Sequence, residues 1–261
     1  MSDSVLLIDM GNTRIKWLRA VEGRIDKETC GQGGLDAFRR FTQSHAGSSP
    51  GRVLLSSVAG EERTTAVMEA CNSRWPVTIS RLASCRQQAG IRNAYEQAET
   101  LGVDRWLAIV GAANSHGKPV VIWDLGTATT LDAVDAEGQH LGGYIFPGPA
   151  TMLEALRSGT MLTVPGDLSG GPEGSPASQE HGISPGQTTA DCIIRGVRAA
   201  QIGALKQFLR NISPQVGNPK LVVTGGAAQE LLPGLKFKHI HDPWLVFRGM
   251  LAAIIRNPEN Q

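Results

Sequence analysis

The chain has 261 residues, of which 41% are hydrophobic, and this length suits two domains of about 120 residues that each bury a core. Its formal net charge of +1 argues against a nucleic acid or a membrane as a partner. The apolar runs are shorter than the roughly 20 residues of a membrane span, and the N-terminal stretch MSDSVLLIDM lacks the basic segment of a signal peptide, so we expect a cytoplasmic protein.

The first half of the chain begins with apolar runs that predict a β-hairpin, with strands at 5–9 and 14–21, followed by a third strand near 24–29. The elements predicted after it alternate: a helix at 35–45, a strand at 52–57, a helix at 61–72 and a strand at 77–80. Tight turns join antiparallel strands, whereas strands separated by helices pair in parallel. This half therefore predicts one mixed sheet flanked by helices.

The second half repeats this order of elements. A hairpin is predicted from strands at 119–124 and 129–135, with a third strand at 139–146. The remaining predictions are helices near 150–158 and 188–211, a strand at 220–224, a short helix, a strand at 237–240 and a closing helix at 243–256. We therefore expect an α/β protein with two similar domains in tandem and a cleft between them.

Residues 165–187, PGDLSGGPEGSPASQEHGISPGQ, interrupt this pattern. The segment is crowded with glycine, proline and serine and has little apolar content, which predicts a long loop or an insert. A lid over a site, an arm that reaches a partner subunit and a passive linker all fit this composition.

The four cysteines are predicted to be free thiols. Cys30, Cys71, Cys85 and Cys192 form no CxxC pair and lie at no zinc-finger spacing from a histidine. Cys192 falls within a predicted helix, where we expect it to be a core residue.

Two turns with the same pattern follow the leading strand of each half. Asp9 ends the run in VLLIDMGNTRIKW, and Asp124 ends the run in VIWDLGTATTLDAV. Gly11 and Gly126 permit close backbone approach by an anion. Short polar side chains that can donate to phosphate oxygens come next, at Asn12, Thr13, Thr127 and Thr129.

A carboxylate beside a phosphate is explained when a divalent cation such as Mg²⁺, or its water shell, lies between them. The plain alternative is that Asp-Gly after a strand is only a hairpin turn. Two such turns in matching contexts favour a phosphate clamp over that alternative.

A third motif is VVTGGAA at 222–228, where a strand leads through Gly225 and Gly226 into a small-residue helix start. This pattern suits a flat adenine or ribose packed against backbone. The sequence contains neither GxxxxGK[ST] nor GxGxxG, so a nucleotide would be held by a different architecture. These residues by themselves predict a nucleotide-dependent phosphotransferase with two domains.

DMGNT, DLGTATT and TGGAA resemble the phosphate-1, phosphate-2 and adenosine motifs of the acetate kinase, sugar kinase, Hsp70 and actin superfamily. YEQAETLGVDRW, GGYIFPG and TTADCIIRG resemble type III pantothenate kinase, a family that includes Bvg accessory factor-like proteins. The resemblance spans residues 5 to about 250. It implies duplicated ribonuclease H-like (actin-like ATPase) domains with mixed sheets flanked by helices. The first, 1–117, would carry phosphate-1 and the GxDR segment, and the second, 118–261, phosphate-2 and the adenosine motif.

In that family the aspartate of GxDR accepts the proton of the pantothenate hydroxyl, so the resemblance implies that Asp104 is the base. It implies pantothenate contacts at Tyr95, Gly102, Val103, Asp104, Arg105 and Thr189, with the adjacent Thr188 as the alternative to the last. It implies ATP contacts at Asp9, Met10, Gly11, Asn12, Thr13, Arg14, Ile15, Lys16 and Thr127. Asp124 resembles the position that binds a monovalent cation, potassium or ammonium. The family also uses Mg²⁺ and forms homodimers.

The sequence leaves two classes of function open. One is a kinase that converts pantothenate to 4′-phosphopantothenate with ATP, at the start of coenzyme A biosynthesis; the other is a regulatory accessory protein of the same fold without kinase activity. A sugar kinase or polyphosphate phosphatase is a third reading, which GVDRW and GGYIFPG argue against. The intact set of Asp9, Asp104, Arg105 and Asp124 favours the enzyme. Asp132 could belong to a polar shell around the second turn, although a structural role is favoured.

Overall fold

The computed structural model describes residues 4–44, 49–168, 185–233, 235 and 237–255, so most of the predicted loop at 165–187 lies outside the described residues. The chain packs into two compact units. One comprises Met1–Asn114 and Leu245–Gln261, and the other comprises Ser115–Trp244. Within the described residues, no helix is both long and apolar enough to cross a membrane. The cytoplasmic location inferred from the sequence stays a prediction.

The first unit contains a five-stranded mixed sheet with the strand order β3-β2-β1-β4-β5. Its strands are β1 (Ser4–Met10), β2 (Ile15–Val21), β3 (Arg24–Gly33), β4 (Arg52–Ser57) and β5 (Ile79–Arg81). The first three are antiparallel, and β4 and β5 run parallel to β1, as the connections predicted. The leading hairpin is confirmed, with Asp9 opposite Lys16.

One face of this sheet packs against helices α1 (Leu35–Ser44) and α2 (Glu61–Asn72). Alternate residues of β1, Leu6, Ile8 and Met10, enter that core, because side chains along a strand point to opposite faces. Asp9 therefore points to the other face, near the carboxyl end of β1 and directly after its apolar residues 5–8.

The segment between β5 and the next long helix contains elements that the sequence pattern did not predict. These are a short hairpin, β6 (Gln87–Gln88) with β7 (Ile91–Arg92), and a single 3-10 turn at Ala98–Thr100. Helix α3 (Val103–His116) follows directly and begins within the GVDRW motif. Strands of two residues have no periodicity that a sequence pattern can detect.

The second unit repeats the first, with the strand order β10-β9-β8-β11-β12. Its strands are β8 (Val120–Leu125), β9 (Ala128–Val134), β10 (His140–Pro147), β11 (Lys220–Thr224) and β12 (Ile240–His241). Antiparallel and parallel pairs fall at the same places as in the first unit. The predicted duplication of mixed sheets flanked by helices is confirmed. The strand predicted at 237–240 is wrong for residues 237–239, since only Ile240 and His241 pair with β11.

The described part of the second unit contains three helices: α4 (Pro149–Gly159), α5 (Thr189–Val216) and α6 (Ala228–Leu231). Helix α5 buries Ile193, Val197 and Leu205 in a core that also contains Trp123 of β8. Trp106 and Trp123 are fully buried and contribute large apolar surfaces to the core.

The closing helix α7 (Leu245–Ile255) packs in the first unit, whereas the sequence had assigned all of 118–261 to the second domain. It contacts β1 and crosses α3 at two glycines. A Cβ on Gly111 would lie well under 3.0 Å from the carbonyl oxygen of Leu245, and one on Gly249 equally close to that of Leu107. The two helix backbones thus touch, and this contact, made between segments far apart in the chain, decides where α7 belongs.

We expect Gly249→Ala to lower the free energy of unfolding by roughly 1–3 kcal/mol, because the added methyl group would overpack the α3–α7 crossing. Urea denaturation followed by tryptophan fluorescence measures this change. Gly203→Ala in α5 is the matched control. A Cβ at Gly203 meets no described atom within 4 Å, so we expect a gain of up to about 1 kcal/mol from helix propensity. Equal midpoints for wild type and Gly249→Ala would contradict the backbone contact.

Candidate active site

The first Asp-Gly-Thr turn joins β1 to β2. The amide of Gly11 donates to the carbonyl oxygen of Arg14 over 3.0 Å, which closes the turn, and Arg63 of α2 donates to the carbonyl oxygen of Asn12 over 2.6 Å. A Cβ on Gly11 would meet only an ordinary contact, 3.5 Å from the Arg14 oxygen. The packing of the protein itself does not demand glycine here, so the missing side chain leaves this backbone open to a ligand.

Three polar side chains lie together at the carboxyl end of β1. Asp9 is buried, and its in-register neighbours on the same face are Lys16 of β2 and Ser56 of β4. Met10 and Ile15, by contrast, place their side chains in the core, so any contact that they make with ATP would come from their backbones. Asn12, Thr13 and Arg14 are exposed at the tip.

The second turn follows β8 and is held more tightly. The carbonyl oxygen of Thr127 accepts two hydrogen bonds, from the amide of Gly148 over 2.9 Å and from the hydroxyl of Thr151 over 2.6 Å. On the other side, the amide of Ala227 donates to the carbonyl oxygen of Leu125 over 3.0 Å. The structure thus brings DLGTATT, the end of GGYIFPG and TGGAA together in one unit.

Two glycines are required by this packing. Gly225 has a φ of +95°, and a Cβ on it would lie 2.5 Å from backbone atoms of Leu125. A Cβ on Gly148 would lie well under 3.0 Å from the carbonyl oxygen of Gly126. The backbone after β8 is therefore clamped between two glycine-containing loops. Gly148 was not among the predicted site residues; the only sign of it was the final letter of GGYIFPG.

The oxygen-bearing residues at both strand ends fit a hard cation bound together with a phosphate group. Asp124 lies in register with Thr130 of β9 and Thr224 of β11, just as Asp9 lies beside Ser56. Carboxylate and hydroxyl oxygens are the donors that hard cations prefer. Asp9 and Asp124 are the residues that would hold such cations. Among the described residues, no group of three or more His, Cys, Asp and Glu side chains could hold a metal ion.

The GxDR segment forms the start of α3. Asp104 is the second residue of the helix, and its Oδ1 accepts the amide hydrogen of Arg105 over 2.7 Å. A Cβ on Gly102 would approach Asp104 Oδ1 to 2.9 Å, so glycine at that position leaves the carboxylate free to adopt this orientation. The positive end of the helix dipole favours a negative charge at this position. Val103 is buried and anchors the segment.

Arg105, which directly follows Asp104, forms a pair with Tyr95. The Arg105 side chain is buried, its Nη1 donates to the Tyr95 hydroxyl over 2.8 Å, and its Cζ lies 5.8 Å from the centre of the tyrosine ring. Arg86 donates to the carbonyl oxygen of Tyr95 over 2.7 Å. Such bonds hold both the side chain and the backbone of Tyr95 in place.

Asn93 organises the loop that carries Tyr95. Its Oδ1 accepts from the Tyr95 amide over 3.0 Å, and its Nδ2 donates to the carbonyl oxygens of Ala98 and Cys85. Asn93 is buried and was not predicted from the sequence, because a single asparagine in a loop carries no pattern. The nearby Cys85 thiol stays neutral, since burial raises its pKa.

Thr188 and Thr189 lie at the start of α5, beside a groove of about 840 Å³ between α4 and α5. The Thr188 hydroxyl accepts from the amide of Asp191 over 3.1 Å and so caps the helix, whereas Thr189 is the first helical residue and is exposed. The groove is otherwise mostly apolar, with Met152, Ala155, Leu156, Leu162, Ile193 and Val197 among its lining residues. Thr151, which holds the Thr127 turn, also lines it.

The structure also tests the predictions made for the cysteines and for Asp132. All four cysteines lie in the described part of the chain and are free, as predicted. Burial raises the pKa of the Cys71 thiol to about 12. The expectation that Cys192 is a core residue is wrong: it is exposed and lines the groove. Asp132 is buried 2.9 Å from Nε2 of the equally buried His140, which agrees with a structural role.

Comparison with solved structures defines the class of fold. MreB 5 of Spiroplasma citri bound to AMPPNP aligns with a TM-score of 0.52 over 100% of this chain and 98% of that chain, at 9% identity. A conserved putative Baf family transcriptional activator from Campylobacter jejuni aligns with a TM-score of 0.64 over 97% and 99%, at 22% identity. The fold is therefore that of the actin-like ATPases.

The family follows from sequence comparison. The family model for type III pantothenate kinase matches residues 5–211. The type III pantothenate kinase of Polaromonas sp. is 34% identical, covering 96% of this chain and 97% of the relative. That of Nitrosococcus oceani is 32% identical, covering 94% and 92%. The chain belongs to the type III pantothenate kinase family.

We expect Gly225→Ala to weaken ATP binding about tenfold or more, because alanine would be strained at a φ of +95° and would push on the Leu125 backbone that leads into the second turn. Isothermal titration with ATP measures the affinity, and a melting temperature shows whether the variant is folded. Gly217→Ala at the end of α5 is the matched control, since Gly217 also has a positive φ, of +62°, but a Cβ there meets no atom of the described residues within 4 Å. Equal ATP affinity in the two variants would contradict the clamp.

Proposed function

We propose that Asp104 is the base with which this chain carries out its family's reaction. That reaction is the ATP-dependent phosphorylation of pantothenate to 4′-phosphopantothenate, the first step of coenzyme A biosynthesis. The observation that carries the proposal is the carboxylate at the start of α3, oriented by the Arg105 amide and followed by a buried arginine.

The geometry of Asp104 suits a base that acts late in the reaction. Its Oδ1 accepts the Arg105 amide hydrogen, and we assign Oδ2 to the acceptor hydroxyl of pantothenate. In phosphoryl transfer the transition state is loose, so the base mainly orients the hydroxyl and takes its proton as the new bond forms. A fixed carboxylate is well suited to both tasks.

We assign the binding of pantothenate to the residues near this base. Pantothenate carries a carboxylate, and a guanidinium can bind a carboxylate through two parallel hydrogen bonds. We assign that contact to Arg105, whose position is set by Tyr95. Gly102 and Val103 would contact the substrate through their backbones, and Thr189 through its exposed hydroxyl. Thr188 is left out, because its hydroxyl caps α5.

We assign the phosphates of ATP to the two turns. The first turn, Asp9 to Lys16, offers backbone amides, exposed polar side chains and the Lys16 ammonium, and the second offers the backbone around Thr127. Mg²⁺, when bound with ATP, neutralises charge on the phosphates. We place it near Asp9 and a monovalent cation, potassium or ammonium, near Asp124, supported by the hydroxyl-bearing neighbours of each carboxylate.

The test of the base is ADP release by purified protein with Mg·ATP and pantothenate. We expect Asp104→Asn to lower kcat by about 10²–10⁴-fold, the usual contribution of a general base. Asp36→Asn is the matched control, because it removes the same charge from an exposed site on α1. In the same assay, Asp124→Asn should raise the concentration of potassium or ammonium needed for half-maximal turnover.

Three results would contradict these assignments. Full turnover by Asp104→Asn would show that Asp104 is not the base. A folded wild-type protein that releases no ADP in sodium, potassium or ammonium salts would contradict the kinase activity itself and favour a regulatory protein of the same fold. An unchanged cation requirement in Asp124→Asn would overturn the cation site alone.

We also propose that the protein is a homodimer. Large apolar side chains are exposed on the second unit: Met161 at 103% and Leu162 at 46% near the groove, and Ile145 at 61% on β10, the outermost strand of its sheet. Contiguous exposed apolar surface marks contact surfaces between proteins, and Met161 and Leu162 are adjacent in the chain. We assign the contact between the two subunits to Met161 and Leu162, at the rim of the groove.

Light scattering after size-exclusion chromatography should give a mass twice the 27.8 kDa of the chain. We expect the double variant Met161→Glu with Leu162→Glu to elute with the mass of a single chain, because two buried charges would have to be desolvated at the contact. Val21→Glu, an equally exposed apolar position on β2, is the control and should leave the mass unchanged. A monomeric wild type at micromolar concentration would contradict the proposal.

A further inference from the structure

A glutamine in the middle of α5 is completely buried. Gln201 has a relative exposure of 0%, on a helix whose other inward residues are mostly apolar. Its Oε1 accepts from the hydroxyl of Thr129 over 2.8 Å, and its Nε2 donates to the carbonyl oxygen of Pro147 over 2.9 Å. Nε2 also lies 3.5 Å from the sulfur of Met152 on α4. One amide thus joins the start of β9, the end of β10 and α4.

Both hydrogen-bond partners of Gln201 adjoin the second Asp-Gly-Thr turn. The prediction that the Thr129 hydroxyl donates to a phosphate is wrong, because this hydroxyl is buried and donates to Gln201. Thr129 comes two residues after Thr127, and Pro147 directly precedes Gly148, whose amide donates to the Thr127 carbonyl oxygen. A Cβ on Gly148 would lie well under 3.0 Å from the Gly126 carbonyl oxygen, so the two backbones are in close contact. Any displacement of the Pro147–Gly148 backbone is therefore transmitted to the turn by direct contact.

We propose that Gln201 is a positioning residue for ATP binding, which holds the backbone of Gly126 and Thr127 in the geometry that receives a phosphate. The proposal rests on the proposed ATP-binding role of this turn. An apolar side chain of similar size could fill the space, but it would leave the buried hydroxyl of Thr129 and the carbonyl oxygen of Pro147 without this partner. A glutamine instead fixes the distance between β9 and β10 through two directional bonds, one at each end of its amide.

The first test compares Gln201→Met, which removes both bonds at similar side-chain length, with Gln207→Met, an exposed glutamine of the same helix. We expect Gln201→Met to raise the Kd and the KM for ATP about tenfold and the KM for pantothenate less than about twofold. Gln207→Met should match the wild type. A Gln201→Met protein with a lower melting temperature but wild-type Kd for ATP would overturn the proposal and leave Gln201 a purely structural residue.

Thr129 supplies the second test. Thr129→Val removes the hydroxyl that donates to Gln201, whereas Thr129→Ser keeps it. We expect Thr129→Val to weaken ATP binding as Gln201→Met does, Thr129→Ser to restore it, and the double variant of Thr129→Val with Gln201→Met to be little weaker than either single variant. Fully multiplicative losses in the double variant would contradict a shared role.

Hydrogen–deuterium exchange provides a readout that does not depend on ATP. The peptide containing the Gly148 amide should exchange about tenfold faster in Gln201→Met than in Gln207→Met, since its bond to Thr127 is no longer held in place. Unchanged exchange would overturn the positioning role. If Gln201→Met exchanges faster but the wild-type protein binds no ATP, the positioning role stands and the proposed ATP-binding function is contradicted.

Discussion

A carboxylate at the carboxyl end of a buried central strand is the constraint on which both units depend. β1 and β8 are apolar up to that point because each is covered on both faces, and a charge is tolerated only where the strand meets a turn. The antiparallel hairpin on one side and the parallel strand on the other then surround Asp9 and Asp124 with polar neighbours. The duplicated strand order repeats this arrangement.

The two turns nevertheless differ in how they are held. The first closes on itself and is tied down by one arginine, while its glycine leaves the backbone open. The second is compressed between Gly148 and Gly225 and receives hydrogen bonds from both sides. Since a pre-organised backbone loses less entropy on binding, the second turn is the better candidate for a fixed receptor. The tip of the first is exposed instead.

The residues proposed to bind the acceptor substrate are held in place in a different way. Arg105 is a buried cation whose position is set by the hydroxyl and ring of Tyr95, and Tyr95 is itself held by Asn93 and Arg86. Asp104 sits next to it on the first turn of α3, where the helix dipole favours its charge. A short loop segment and a helix start thus hold the proposed base and the proposed carboxylate receptor without any regular strand.

The sequence by itself determined the order of the elements and the positions of the motifs, because hydrophobic periodicity and turn chemistry are local. The strands at 52–57 and 220–224 and the helix at 61–72 have the predicted bounds, and the three phosphate and adenosine motifs lie where strands end. Only the tertiary structure decided that α7 packs with the first unit, that Gly148 and Gly225 enclose the second turn, and that Gln201 joins β9 to β10. Those contacts join residues far apart in the chain, and a backbone clearance or a buried amide leaves no periodic trace in the sequence.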